Sequence, residues 1–404
     1  MLQRHNIDID LPSRRYPLTA LSPVMAAVFI AFLIIGFALP VLPLHVHHGL
    51  GLSMFVVGVV TGSQFAAAIL SRVWAGNFAD TRGAKQAVVI GLLTAVGSGL
   101  FYLLSLAFTR TPEVSVSMLL MGRAVLGGAE SFIITGAVTW GLAVLGQEHA
   151  GRVIAWMGMA MFAAFAVGAA LGTSLYDVGG FFAVALATTL VPLVTLLLVA
   201  PLSAVLPVRG AGRPPLMRVA RAVWMPGVGS ALSSVGFGAV LAFSALIAKE
   251  RGWDPVWLPF STFAAALVIA RALLGHVPDT LGGARVALAS VVIEAAGLAL
   301  IWLASGPLVA AIGAGLTGFG YALVYPGLGV EAVRRAPPES RGLAMGAYTV
   351  FLDVALGFGT PVLGLIGGQA GLGAIFLASA LAVLAGSVFA AWLLSAPIAE
   401  KGQQ

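Results

Sequence analysis

Three carboxylates stand where carboxylates are costly. Glu130 lies in the run LLMGRAVLGGAESFIITG, Glu294 in LASVVIEAAGLAL and Asp353 in YTVFLDVALGFG. An ionisable side chain in such a stretch is expensive to insert into a membrane and usually faces a protein interior or a watery cavity. Desolvation disfavours the charged form of a carboxyl. A group that takes a proton on one side and releases it on the other is what coupling to a proton gradient requires. The structural alternative is that each carboxylate pairs with a buried arginine or hydrogen-bonds to a neighbouring helix. Arg123 is a fourth candidate for coupling or substrate contact, because it precedes Glu130 by two helical turns on the same face.

Other chemistries lack their residues. The chain has no cysteine, which removes thiolate metal sites and a cysteine nucleophile. Its six histidines form no HExxH pattern, and His45, His47 and His48 fit loop histidines better than a metal site, so no metal is expected. No Ser/His/Asp constellation clusters at a membrane face, and no GxxxxGK[ST] phosphate loop occurs. A membrane-embedded enzyme therefore has no evident active site, a receptor would lack a sizeable extramembrane domain, and active transport would draw on an ion gradient with no cofactor.

The elements that position these groups follow from composition. The chain is 60% hydrophobic and 9% charged, against about 25% charged residues in soluble domains, so much of its surface must face lipid. The net charge of +6 is divided by long apolar runs and forms no nucleic-acid patch. The first run, Ser22 to Val46, exceeds the core of a signal peptide and reads as a retained span. Twelve runs are long enough to cross a bilayer: residues 22–45, 53–75, 86–108, 115–143, 152–174, 181–206, 224–247, 256–275, 285–304, 307–330, 342–368 and 372–395. With both termini inside, fifteen of the 21 Lys and Arg fall on the cytoplasmic side and only Arg110, Lys249 and Arg251 outside, as the positive-inside rule demands. Arg72, Arg123 and Arg271 fall within or at the edge of spans.

The chain also repeats itself. SRVWAGNFADTRGAK at residues 71–85 is answered by ARALLGHVPDTLGGA at 270–284, with Arg72, Gly76, Asp80, Thr81 and Gly83 recurring as Arg271, Gly275, Asp279, Thr280 and Gly282, each 199 positions later. The Pro-, Gly- and Arg-rich stretch PVRGAGRPPLMRVARAV lies between spans six and seven. The expected organisation is a cytoplasmic tail 1–21, a six-helix half 22–206, a linker 207–223, a second six-helix half 224–395 and a tail 396–404. Parallel six-span repeats are one architecture of secondary transporters, with the solute site between the halves.

GNFADTRGAK resembles the loop GxLaDrxGrK between the second and third helices of the major facilitator superfamily, through Gly76, Asp80, Gly83 and Lys85. GRAVLGGAES resembles that family's RxxqG motif, through Arg123 and Gly127. More closely, GRVIAWMGMAMFAAFAVGAALG, VVIEAAGLALIW, GFGYALVYPGLGVEAV and YTVFLDVALGFGTPVLG look like the YhhS/YfcJ group of bacterial facilitators, labelled sugar-efflux-like or drug-efflux-like. The fifth-span segment AFAVGAALGT has Ala164 and Ala169 where drug/proton antiporters carry the first glycine and the proline of gxxxGPxxGG.

The resemblance implies an all-α membrane protein of twelve helices in two pseudo-symmetric halves, in the bacterial inner membrane. It implies a small-solute transporter working as a monomer by alternating access, proton-coupled and outward. An importer of a sugar or metabolite, proton-driven or facilitative, is the alternative. The repeated motif would form a cytoplasmic gate, with Arg72 and Arg271 as latch partners or as snorkelling side chains, and Asp80 and Asp279 beside helix ends. A carboxylate at a helix N-terminus accepts free backbone N–H groups. Gln64, Thr135, Trp140, Ser233, Ser234, Tyr321, Tyr325 and Tyr348 are candidates to line the cavity, and Pro40, Pro43, Pro326 and Pro361 to break helices near functional depth.

Overall fold

A computed structural model describes residues 17–146, 149–204, 216–336 and 341–395. Among them every regular element is helical: α1 Pro17–Leu44, α2 Met54–Arg82, α3 Ala84–Ser105, α4 Pro112–Leu145, α5 Ala150–Val199, α6 Leu216–Glu250, α7 Leu258–Leu274, α8 Val277–Leu281, α9 Gly283–Leu303, α10 Pro307–Arg335, α11 Arg341–Ala370 and α12 Leu372–Ser395. Residues 1–16 of the first tail, the second tail and residues 207–215 of the linker lie outside the described residues, together with Arg4, Arg14, Arg15, Arg209, Arg213 and Lys401. Residues 17–21 and 216–223, expected in the tail and linker, are already helix, because an apolar run marks hydrocarbon thickness rather than the end of backbone hydrogen bonding.

Ten helices are long and apolar enough to cross a membrane, and α7 is a shorter apolar helix of 17 residues. One of the ten makes two crossings. The apolar part of α5, Arg152–Val199, has 48 residues, about 72 Å at 1.5 Å each, far more than a hydrocarbon core of about 30 Å. It breaks at Gly179 and Gly180, where Gly180 takes φ 61° and ψ −160°. Lys85, at the start of α3, bonds the carbonyls of Ala200 and Leu202 just past the end of α5, so the second limb returns to the side where α3 begins. Twelve crossings result.

Two bundles form, α1–α5 and α6–α12. In the first, α1 packs on α5 and α4 on both α2 and α3; in the second, α10 packs on α7 and α9, and α12 on α6 and α9. The bundles meet along α2 with α11, α5 with α7 and α1 with α6. Close approach along α2 and α11 depends on missing side chains. A Cβ at Gly58 or Gly62 would strike the carbonyl oxygens of Thr360 or Gly357, and one at Gly364 that of Met54, the small-residue contact by which membrane helices associate. The outward faces carry exposed Leu70, Val73, Trp74, Leu197 and Leu308, as a lipid-facing surface should.

Three local expectations change. The prolines do not break their helices: Pro40 and Pro43 lie inside α1, Pro326 inside α10 and Pro361 inside α11, since neighbouring groups in a bundle can satisfy the freed carbonyls. A five-residue π-type turn, His45–Gly49, follows α1 instead. Asp80 stands in the last turn of α2, not at a helix N-terminus, because α2 runs on to Arg82. Asp279 does occupy a first turn, that of α8. His45 is buried, with its ring stacked on Phe181 at 4.1 Å, and is no loop histidine.

The glycines of the repeat have a shared reason. Gly83 (φ 106°) separates α2 from α3, and Gly282 (φ 93°) separates α8 from α9. Only glycine adopts such angles without strain.

Candidate functional site

Arg72 and Asp353 meet across the interface of the halves. Arg72 of α2 donates from Nε to Asp353 Oδ2 at 2.6 Å and from Nη2 to Oδ1 at 2.9 Å. This is the two-pronged geometry that a guanidinium and a carboxylate favour. Asp353, on α11, is fully buried, while the Arg72 side chain keeps 26% of its surface. Arg72 therefore neither snorkels nor pairs with Asp80. The gate motif and one coupling candidate, 281 residues apart, form a single contact between the halves.

The other first-half candidates gather beside this pair. Glu130 of α4 accepts from Gln64 Nε2 of α2 at 2.6 Å, and it lies within electrostatic reach of Arg72, Asp353 and Arg123. Arg123 is buried and donates only to the Thr61 carbonyl, at 3.3 Å, with Nε and Nη1 unpartnered among the described residues. It is not ion-paired with Glu130. Ser71 and Ser131 bond each other at 2.9 Å, tying α2 to α4 just below. Trp140 is buried in the apolar core of the first half.

In the second half, an aromatic wall faces the interface. Tyr325 of α10 bonds Thr349 at 3.0 Å, and Tyr348 of α11 donates to the Tyr325 carbonyl at 2.7 Å. The Tyr325 hydroxyl senses Arg72, Asp353 and Arg271 together, which sets it between the two arginines of the repeat. Tyr321 continues the wall through Phe237 and Phe263, and its hydroxyl lies 3.2 Å from Ser234. Glu294 is elsewhere. It is fully buried, accepts from Ser233 at 2.5 Å, and sits where α9 packs against Gly236 of α6 and Gly320 of α10.

The two copies of the gate motif differ in engagement. Asp80 and Asp279 are both exposed and make no ion pair among the described residues, and Gly275 caps the end of α7. Lys85 is a cap, donating at 2.7 Å to both carbonyls beyond α5, so it fastens α3 to α5 within one half. Arg271 makes no hydrogen bond or ion pair among the described residues; its guanidinium lies 5.1 Å from the Phe162 ring of α5. Glu331 was not singled out from sequence. It is buried, accepts from the Ala284 amide at 3.4 Å, and approaches Arg334 and Arg335 at 3.9 and 3.7 Å. Its spacing of three and four residues from those arginines was the available signal.

Among the described residues no cluster of three or more His, Cys, Asp or Glu could hold a metal. The arrangement joins a guanidinium to a buried carboxylate across the two bundles, with a second buried carboxylate beside it.

Comparison with known proteins agrees with this architecture. A family model described as Major Facilitator Superfamily matches residues 24–282 and 227–404. An uncharacterised MFS-type transporter of Salmonella typhimurium (strain LT2) is 41% identical over 371 residues, covering 92% of this chain and 95% of that protein. A second, from Burkholderia mallei (strain SAVP1), is 40% identical over 373 residues, covering 90% and 89%. Among solved structures, the nucleoside transporter NupG superposes with a TM-score of 0.71 at 14% identity, covering 94% of this chain and 100% of that one, which speaks for the fold alone. The chain belongs to the major facilitator superfamily of membrane transporters.

Proposed function

We propose that this chain is a secondary active transporter of the bacterial inner membrane, working as a monomer, that moves a small solute outward by alternating access in exchange for protons. The observation that carries the reading is the Arg72–Asp353 pair, because it places a titratable group in the contact that must be made and broken. In the present arrangement α2 and α11 are joined from Met54 and Gly364 at one end to Arg72 and Asp353 at mid-length. By the positive-inside rule the first end is the outer one. Asp80, at the opposite end, is exposed and makes no such contact among the described residues.

Uptake of a proton by Asp353 removes the negative charge that holds Arg72, so the strength of this contact follows the protonation state of Asp353. Loss of that proton restores the pair. Glu130 is close enough to exchange charge with the same site, and Gln64 orients it. Outward direction follows the resemblance to the YhhS/YfcJ group.

Reconstituted vesicles with an imposed pH gradient test the reading against a panel of sugars, cationic compounds and organic anions. One solute should move only when the protein is present, and Asp353→Asn or Glu130→Gln should release that movement from the gradient. Unchanged coupling in both variants would sink the carboxylate assignment.

A further inference from the structure

Arg271 is a cation whose counter-charge is missing. It occupies in α7 the place that Arg72 occupies in α2, 199 residues earlier. The helix it faces, α5, presents no carboxylate there. A Cβ built on Gly158 of that helix would stand 3.2 Å from the Arg271 Nη1. Nε is buried with no partner, while the residue keeps part of its surface. The titratable groups within its electrostatic reach are Tyr321, Tyr325 and Tyr348, all neutral phenols at ordinary pH.

A cation held between two bundles without a counter-ion is unfavourable, because desolvation is not repaid by attraction. The neighbourhood supplies only a ring face, at 5.1 Å, and cation–π attraction is a partial substitute. What the site still offers is a planar fork of donors suited to a two-oxygen anion. Beside it stands a wall of rings running from Phe162 through Phe237 to Tyr321 and Tyr325, with centroids 5.2 to 6.4 Å apart.

We propose that Arg271 is an anion-binding subsite on the transport path, and that its ligand is a small organic anion, a carboxylate or sulfonate carried on an apolar body that packs on the Phe162, Phe237 and Tyr321 rings. The inference rests on the transporter reading, since the subsite lies between the halves, but its test is a binding measurement that needs no transport. In the resting molecule the end of Arg271 reaches the bare backbone of Gly158, where no side chain supplies a carboxylate, and the ligand brings one.

Purified full-length protein is titrated with benzenesulfonate, charged at every working pH, and with benzenesulfonamide, its neutral counterpart. Benzenesulfonate should bind saturably and raise the melting temperature; the sulfonamide should bind at least about tenfold more weakly, as loss of a charge-assisted pair implies. Arg271→Gln should lose the anion by a similar factor. Gly158→Asp should fold, place a carboxylate beside the guanidinium as Asp353 does for Arg72, and lose the anion as well. Equal binding of the two probes, no saturable binding of benzenesulfonate, or wild-type affinity in Gly158→Asp overturns the proposal. If Arg271→Gln does not fold, Gly158→Asp decides alone. Absence of gradient-driven transport in vesicles would count against the transporter reading and leave this binding result standing.

Discussion

Two of the seams that join the halves are built from the same repeat to different ends. Along α2 and α11, Arg72 is neutralised by Asp353, and glycines let backbone touch backbone at Gly58 and Gly62. Along α5 and α7, among the described residues, Arg271 has no carboxylate, the bonding across the seam is a single Ser261 hydroxyl to the Ala166 carbonyl at 2.9 Å, and the contact at Gly158 is with a flexible side-chain end. One seam is a closed electrostatic clasp; the other leaves a charge unsatisfied. Each seam carries an arginine of the repeat, and what the partner helix places opposite it decides which seam is a clasp. On the reading proposed above, that division separates the group that responds to protons from the group that responds to solute.

The clasp is where the largest effects belong. Asp353→Ala leaves Arg72 without its partner in a mostly buried site, a loss of about 3 to 5 kcal/mol where such pairs are fully enclosed, and less here because Arg72 keeps 26% of its side-chain surface. Gradient-driven transport should disappear and the melting temperature should fall. The exchanged pair Arg72→Asp with Asp353→Arg should recover a substantial part of the stability lost in either single variant. A double variant no more stable than the singles would show that the charge pairing is incidental to the seam.

The backbone contacts sharpen the same contrast. Gly58→Ala drives a methyl into the Thr360 carbonyl, where nothing can give way cheaply, and overpacking of this kind costs about 1 to 3 kcal/mol. Gly158→Ala meets only the end of Arg271. Paired cysteines placed at the Met54 end of α2 and the Gly364 end of α11 should cross-link less in the Gly58→Ala background and normally in the Gly158→Ala background. Equal cross-linking in both would mean that the seams are packed alike.

Much of this was legible before any coordinates. Hydropathy located the twelve crossings, since a bilayer leaves its thickness in the sequence, and the repeat set Gly83 and Gly282 at matching places without showing that both turn corners at positive φ. What sequence could not show was partnership between distant helices. Arg72 and Asp353 are separated by 281 residues, and nothing local in either segment names the other. Lys85 looked like part of a gate and is a cap for α5, because its reach across two helix ends exists only after folding. Asp80 does lie beside a helix end, but that end is the C-terminus of α2, since the apolar run stops at residue 75 while the backbone hydrogen bonding continues to Arg82.

The repeat's glycines give a smaller and more symmetrical test. Gly83→Ala and Gly282→Ala each force a side chain into a left-handed backbone, with a strain of about 1 to 2 kcal/mol. Both sit outside the two seams, at φ 106° and 93°. The two variants should therefore lower the melting temperature by similar amounts and leave coupling unchanged. A large difference between them would reveal that one half depends on its corner more than the other.

The smallest effect isolates the one attractive contact that the open seam gives Arg271. Phe162→Leu removes the ring face under the guanidinium, worth about 0.5 to 2 kcal/mol depending on exposure, but it also removes ring contacts with Phe165 and Phe237. The loss must therefore be measured twice, in the wild-type chain and in the Arg271→Gln chain, where only the ring contacts remain to be lost. The difference between the two is the cation–π term, as a double-mutant cycle requires for residues in contact. It should fall well below the coupling measured for Arg72 and Asp353, because a ring quadrupole compensates a cation less than a carboxylate does. A coupling as large as that of the clasp would mean that Arg271 is already satisfied by Phe162, and the seam would have no charge left to offer a ligand.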